Sequence, residues 1–357
     1  MYSSSPEGAP VVSPSAAAPA YGRPPAAAPV VREPLHAPVA HVVRGGVVEG
    51  VHHGSVVVLD ADGRVGFQLG DIEAAFYPRS ALKPVQAVAM LRAGLPLDGG
   101  ELLSLAAASH SGEERHLDGA RRLLGLAGLT EDDLRNVPDM PYDPVERDIW
   151  VRDGRTPDRL AQNCSGKHAA MLWTAKVNGW SLEDYLDPAH PLQRAVAETV
   201  EDLTGQRVAG VTVDGCGAPL FSISLHGLAR ALARITTAAP GTPEARVADA
   251  MREHAELASG KRRDVAALMR AVPGLLAKDG FEGVEVAALP DGRAVAVKIA
   301  DGNDRARVPV AAAALARAGV DPALLTAFEG APLLGGGRPV GSVRPVRALD
   351  PVAAPAA

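Results

Sequence analysis

Two stretches of strand-like sequence lie at opposite ends of this chain, and their placement constrains the fold more than any other feature. Residues 41–50, HVVRGGVVEG, and 55–71, SVVVLDADGRVGFQLGD, carry β-branched runs, and Asp62-Gly63 separates two of them as a hairpin turn does. Residues 283–302, GVEVAALPDGRAVAVKIADG, again read as strand, Pro-Asp-Gly turn and strand, and 306–319, ARVPVAAAALARAG, reads as a helix. Between them, apolar residues recur at spacings of three and four over about 83–94, 99–108, 116–127, 168–178, 192–204 and 225–236, the period of packed helices. The expected architecture is α/β of the α+β kind: a mixed sheet built from both chain ends and flanked by helices, with a mostly helical middle beside it.

Residues 1–38 are rich in Pro, Ala and Ser, with few side chains able to fill a core. They are expected to form a disordered leader, and 350–357 a disordered tail, leaving one folded domain over 39–349. The composition supports a core of that size, with 47% hydrophobic residues and 22% charged. A net charge of -6 without a local basic patch argues against nucleic acid or an anionic membrane surface as partner, and 4% aromatics are too few for base stacking. No long uncharged apolar run occurs, and the first twenty residues lack an export pattern, so a cytoplasmic location is expected.

Tyr77-Pro78-Arg79-Ser80-Ala81-Leu82-Lys83-Pro84 is the most informative short stretch. Proline is comfortable only in the first turn of a helix, so Pro84 pins a helix start and places Ser80 beside it. Lys83, three residues on, shares the face of Ser80, the spacing that a serine nucleophile with a lysine base requires. A neutral lysine at pH 7 needs its pKa brought from about 10.4 to about 7, roughly 4 kcal/mol. The helix dipole supplies at most about 2 kcal/mol of this, so burial or a second cation must supply the rest. The plain alternative is a capping serine with an exposed lysine.

Three further clusters carry polar chemistry. Ser109-His110-Ser111-Gly112-Glu113 follows an apolar helical run and either relays protons or caps the next helix. Lys278, in LLAKDG just before a strand, resembles the K-x-G lysine whose amine faces a serine nucleophile, and Lys298 on the following strand competes for that role. The chain's two cysteines, Cys164 in QNCSGKH and Cys216 in VDGCG, both sit in polar turns containing glycine. Two thiolates bind zinc well, and His168, Lys167 or Asp214 could complete a site with an open position. A reactive cysteine or a structural turn fits the same residues.

With SALK at 80–83, ASHSGE at 108–113, NCSGKH at 163–168, DGC at 214–216, AKDG at 277–280 and VKIADGN at 297–303 in this order, the chain resembles the bacterial asparaginases of the rhizobial inducible, thermolabile type over about residues 40–345. The resemblance implies a fold similar to serine β-lactamases and β-lactamase-like glutaminases, and hydrolysis of L-asparagine to L-aspartate and ammonia. It implies Ser80 as nucleophile, Lys83 as its base, and Ser109 with Lys278 as a second Ser/Lys pair that relays protons and keeps Lys83 neutral. It further implies that Cys164, Lys167 and Cys216 bind Zn²⁺ beside the active site with a water as fourth ligand; two thiolates make a weak Lewis acid, so the ion is expected to bind the substrate's polar groups and not to activate the hydrolytic water. Arg79 and Asp214 are the expected substrate-binding residues, and the expected partners are L-asparagine and a second copy of the chain. Rival readings are a glutaminase or penicillin-interacting serine hydrolase on the same fold, and a zinc-stabilised amino-acid-binding protein without catalysis.

Overall fold

The computed structural model describes residues 33–98 and 100–350. The leader expected over 1–38 lies outside the described residues as far as 32, and the tail expected over 350–357 does so beyond 350. Ala37 and Pro38, assigned to the leader, belong instead to the first strand.

The chain enters as β1 (Ala37–Arg44), turns at Gly45-Gly46, where both φ angles are positive as a tight hairpin loop requires, and returns as β2 (Val47–Leu59). β3 (Val65–Leu69) and the short β4 (Ala75–Phe76) follow. The helical middle begins with α1 (Lys83–Arg92), α2 (Gly100–Ala106), α3 (Glu114–Leu126), α4 (Pro144–Arg152), α5 (Ser165–Val177) and α6 (Pro191–Thr204). After the hairpin of β5 (Gly210–Val213) and β6 (Pro219–Ser224) come α7 (Leu225–Thr236), α8 (Pro243–Glu253), α9 (Ala255–Ala258) and α10 (Asp264–Ala271). The chain ends in β7 (Leu276–Gly280), β8 (Val284–Ala288), β9 (Ala294–Ile299), α11 (Asp304–Arg317), β10 (Ala331–Gly335) and β11 (Arg338–Pro345).

The main sheet runs β10-β11-β1-β2-β9-β8-β7, with β3 also paired to β2, so both chain ends do contribute to it. It was expected to be mixed but is antiparallel throughout. Most of its pairings are hairpins, and a hairpin can only be antiparallel, whereas parallel neighbours need crossover connections. β4, β6 and β5 form a second, three-stranded sheet. All five residues of β8 are buried, which requires cover on both faces; α7 and α11 both pack on β8 and β9 and supply it.

The six helices read from spacing are present to within a few residues, and so is the helix over 306–319. The spacing missed α4, α8 and α10 and the hairpin β10–β11. Pro332 and Pro339 disguise that hairpin; proline is tolerated at 332 because β10 is an edge strand, and at 339 because the pairing of β11 with β1 ends at Gly341. α1 lies at the centre of the helical half: every residue from Lys83 to Leu91 is buried, and α5, α6, α7 and α8 all pack on it. A helix enclosed on all sides needs no polar face. No helix among the described residues is long and apolar enough to cross a membrane.

Candidate active site

Ser80 lies in a 3-10 turn, Arg79–Leu82, that leads directly into α1, with Pro84 in the first turn of the helix as the sequence required. The expected α-helical start is thus a tighter turn, in which residues i and i+3 eclipse, and Ser80 and Lys83 are brought to one side. Arg79 begins the turn with a φ of +53°, a left-handed conformation that is costly for a side chain of this size and concentrates at functional sites. Ser80 is partly exposed; Lys83 is 1% exposed.

The Lys83 amine donates to Ser109 Oγ at 2.9 Å, to the Ala108 carbonyl at 2.6 Å and to Cys164 Sγ at 3.0 Å. No hydrogen bond joins it to Ser80 Oγ among the described residues. Ser109 is held in place by its own N–H, which donates to the Ala258 carbonyl, so the C-terminal end of α9 sets its position. The rest of the 108–113 cluster splits its duties. Glu113 caps α3 in a reciprocal pair with His116, while His110 accepts from Gly112 N through Nδ1 and therefore donates through Nε2 to Ser165 Oγ at 2.8 Å. Burial, with His116 and Lys83 nearby, keeps His110 neutral.

Cys164 precedes α5 and Lys167 sits in its first turn, whereas Cys216 lies on the β5–β6 hairpin; all three are buried. Lys167 Nζ donates to Cys216 Sγ at 3.2 Å. The hydrogen bond from Cys164 and the Lys167 charge hold Cys216 well below the usual thiol range, while the neighbouring Cys216 and burial push Cys164 up to about 12. Cys164 Sγ donates to Asn163 Oδ1 at 2.9 Å, and of the two sulfurs Cys216 is the one whose surroundings favour the thiolate. Burial opposes a charge on Lys167, but the sulfurs outweigh it and keep the amine protonated. Of the residues that could complete a metal site, His168 is turned to Tyr185 OH at 2.8 Å and Asp214 is paired with Arg79, so Lys167 is the one that meets the sulfurs. Among the described residues no group of three His, Cys, Asp or Glu side chains could hold a metal. Two sulfurs with one amine nevertheless make a fitting donor set for Zn²⁺, provided that binding displaces the protons on Cys164 and Lys167.

Arg79 Nε donates to Asp214 Oδ1 at 2.8 Å, tying the Ser80 turn to the β5–β6 hairpin, and the Arg79 guanidinium lies 5.4 Å from the Phe281 ring centre. Burial works against the Asp214 charge, but Lys167 and Arg79 keep its carboxyl below the usual range. Lys278, on β7, is wholly buried, and its amine donates to Asp279 Oδ1 at 2.6 Å and to the Asp279 carbonyl at 2.8 Å. It makes no hydrogen bond to Ser109 among the described residues; Ser109 is bonded to Lys83. Lys298 is half-buried and donates to the carbonyls of Glu282 and Ile299, where it supports the β7–β8 turn. The site residues that spacing did not reveal are Asp279, Arg263 and Phe281. Asp279 follows Lys278 directly, and its acidic side chain next to a buried lysine was the available signal.

Residues 40–345 match the sequence profile of the L-asparaginase II family. No curated protein sequence matches the chain. Among solved structures, a β-lactamase from Mycobacterium bovis is similar at 15% identity with a TM-score of 0.38, over 77% of this chain and 93% of its own. Mglu in its native form is similar at 19% identity with a TM-score of 0.36, over 74% of this chain but 62% of its own, so this chain spans less than two thirds of Mglu. EstCE1, a hydrolase with promiscuous acyltransferase activity, is similar at 15% identity with a TM-score of 0.37, over 72% and 92% of the two chains.

Proposed function

This chain belongs to the L-asparaginase II family and is an amidohydrolase of the asparaginase class, and from that premise we propose that it hydrolyses L-asparagine through Ser80 as a covalent nucleophile. The observation that carries the reading is the fully enclosed Lys83 amine, bonded to Ser109 Oγ at 2.9 Å and eclipsed with Ser80 across one 3-10 turn. Ser80 Oγ attacks the side-chain amide carbon and gives its proton to Lys83. Ser109, already in hydrogen-bond contact with Lys83, passes its proton to the departing nitrogen and takes the Lys83 proton in its place, so ammonia leaves, the amine is free to accept again and an aspartyl ester remains on Ser80. Water then attacks the ester carbon, with the same amine accepting its proton, and L-aspartate and free Ser80 result. The backbone N–H of Ser80 is the oxyanion donor, a contribution typically worth about 3 kcal/mol.

Arg79 and Asp214 are the partners for the two charged ends of the substrate. In the free enzyme they neutralise each other, and a short zwitterion replaces that pair by giving its α-carboxylate to Arg79 and its α-ammonium to Asp214. Cys164, Lys167 and Cys216 would hold Zn²⁺, which when bound supplies a fixed positive charge near the substrate's polar groups.

Ser80→Ala tests this reading. The variant is expected to fold as the wild type does while ammonia release from asparagine falls by about a thousandfold or more. Activity within tenfold of wild type would refute the nucleophile.

A further inference from the structure

A cavity of about 650 Å³ is lined by residues of α2, α3, α8, α9 and α10, none of which belongs to the active site described above. Four arginines contribute to its wall: Arg115 and Arg122 from α3, Arg252 from α8 and Arg270 from α10. Three of them have carboxylate partners. Arg115 and Arg270 share Glu256, at 2.6 and 2.5 Å, and Arg122 Nη1 donates to Glu101 at 3.2 Å. Arg252 is different: Asp249 Oδ1 stands 3.6 Å from its Nη1, beyond hydrogen-bond distance, and its Nε and Nη2 are buried with no hydrogen-bond partner among the described residues. Burial pushes its pKa below the ordinary arginine value, with the Asp249 charge opposing, and unpaired guanidinium N–H groups in an interior are unfavourable. The next residue on the same wall, Glu253, is an exposed carboxylate whose ion-pair contact among the described residues is the His254 ring at 3.8 Å.

We propose that this cavity is a regulatory site for a free α-amino acid, which gives its carboxylate to Arg252 and its ammonium to Glu253, and that its occupancy lowers turnover through α9. The ligand chemistry follows from what the wall lacks. A guanidinium without a partner calls for a planar, bidentate anion, which a carboxylate supplies. A free carboxylate beside it calls for a cation on the same small molecule. Inorganic phosphate would answer Arg252 but would be repelled by Glu253 and by Glu101, Asp118 and Glu256 on the same wall. The volume lies within the range of small-molecule sites and leaves room for a side chain.

α9 connects this cavity to the reacting groups. Ala255, Glu256 and Leu257 line the cavity, and the next residue, Ala258, accepts the Ser109 N–H at 3.1 Å. Glu256 ties α9 to α3 and α10 through Arg115 and Arg270, and its carbonyl accepts from His116 Nε2 at 2.9 Å. The His254 carbonyl, just before α9, accepts from Ser104 Oγ at 2.9 Å. A carboxylate held at Arg252 is a second anion in a cavity whose other guanidinium groups converge on Glu256, and it competes for them. Loosening Arg115 or Arg270 from Glu256 releases α9, and with it Ser109, whose Oγ lies 2.9 Å from the Lys83 amine; a small misplacement of such a group is enough to lower kcat. The site itself stands apart from the reading of Ser80 given above, whereas its effect on turnover rests on the role of Ser109 in that reading.

The test uses L-asparagine as probe in a binding arm and a kinetic arm. Equilibrium dialysis of Ser80→Ala, which does not consume the probe, is expected to find two molecules per chain, one at Arg79 and Asp214 and one in the cavity. Adding Arg252→Met should abolish the second, and adding Glu253→Gln should weaken it by about tenfold or more. In the kinetic arm, wild-type ammonia release should fall by about twofold or more from its maximum as asparagine is raised beyond saturation, whereas Arg252→Met keeps the wild-type kcat/KM and gives a simple saturation curve. One molecule per chain in Ser80→Ala, or a second that survives Arg252→Met, overturns the site. Two molecules with a wild-type rate that does not decline overturn the coupling through α9, and a second molecule indifferent to Glu253→Gln overturns the amino-acid assignment. If Arg252→Met does not fold, the exposed substitution Glu253→Gln decides alone: weakened binding of the second molecule with relief of the decline supports the proposal, and no change overturns it. If Ser80→Ala still consumes asparagine, the nucleophile reading fails, and dialysis with glycine, which has no amide to lose, decides the cavity site separately.

Discussion

Cys216 shows how a single side chain acquires a chemical state from its neighbours. It sits in a hairpin turn where an ordinary cysteine would be a weak acid, yet a buried amine 3.2 Å away and a thiol from another element favour its thiolate. Removing that sulfur leaves a buried ammonium without its counter-ion and a metal site with two donors in place of three. Cys216→Ser loaded with zinc and desalted should therefore retain at least about tenfold less metal than wild type, with the KM for asparagine raised more than kcat is lowered. Elemental analysis of both proteins checks this, and equal zinc content would remove the ligand assignment. Arg79 is the complementary case. Its left-handed backbone is unfavourable by itself, and the Asp214 ion pair and the Phe281 ring are what repay it.

At the scale of elements, the nucleophile's position depends on how closely β7 approaches the turn before α1. Gly280 ends β7 with its backbone against that turn; a Cβ there would collide with the Pro78 carbonyl oxygen and come within 3.1 Å of Ala81 N. The absent side chain lets a strand from the end of the chain touch the turn that carries Ser80. Gly280→Ala should displace the turn and lower kcat by about a hundredfold, because misplacement by an ångström is enough for such a loss. Its thermal midpoint should fall by only a few degrees, since one clash at the edge of a large core costs on the order of 1–3 kcal/mol. Steady-state rates and a melting curve on one preparation separate the two effects; a large loss of stability with unchanged kcat would show that the contact serves folding alone. α1 itself is secured by burial, each of its large apolar side chains contributing about 1.5–3 kcal/mol, and it can therefore hold Lys83 buried against Ala108, Ser109 and Cys164.

The described residues are organised around the pairing of their first and last segments. β1 pairs with β11 in register Ala40 to Pro345, and Val346 N–H donates to the Val39 carbonyl at 3.0 Å, so the chain leaves the sheet beside the point where it entered. The order of elements along the chain is thus separable from the order of strands in the sheet. A circular permutant joining Asp350 to Pro34 through about six Gly and Ser residues and opened at the exposed Asp62-Gly63 turn should fold and keep at least about half of the wild-type kcat/KM. Soluble expression and ammonia release measure it; an insoluble or inactive permutant would show that continuous connectivity between β2 and β3 is needed.

The sequence by itself determined the helix start at Pro84, the spacing that sets Ser80 one turn before Lys83, six helices of the middle, the hairpins β2–β3 and β8–β9 and the membership of both cysteines in polar turns. These are properties of neighbours along the chain: a proline excludes a helix interior, a three-residue spacing shares a face, and a Gly-containing pair reverses a strand. Tertiary structure decided which groups those residues would meet. Lys83 is bonded to Ser109 and Cys164 and not to Ser80, Lys278 to Asp279 and not to Ser109, and Arg79 to Asp214. The reason is physical. A buried amine settles among the acceptors that the packing of separate helices and strands delivers to it, and no local pattern in the chain records which distant residues those will be.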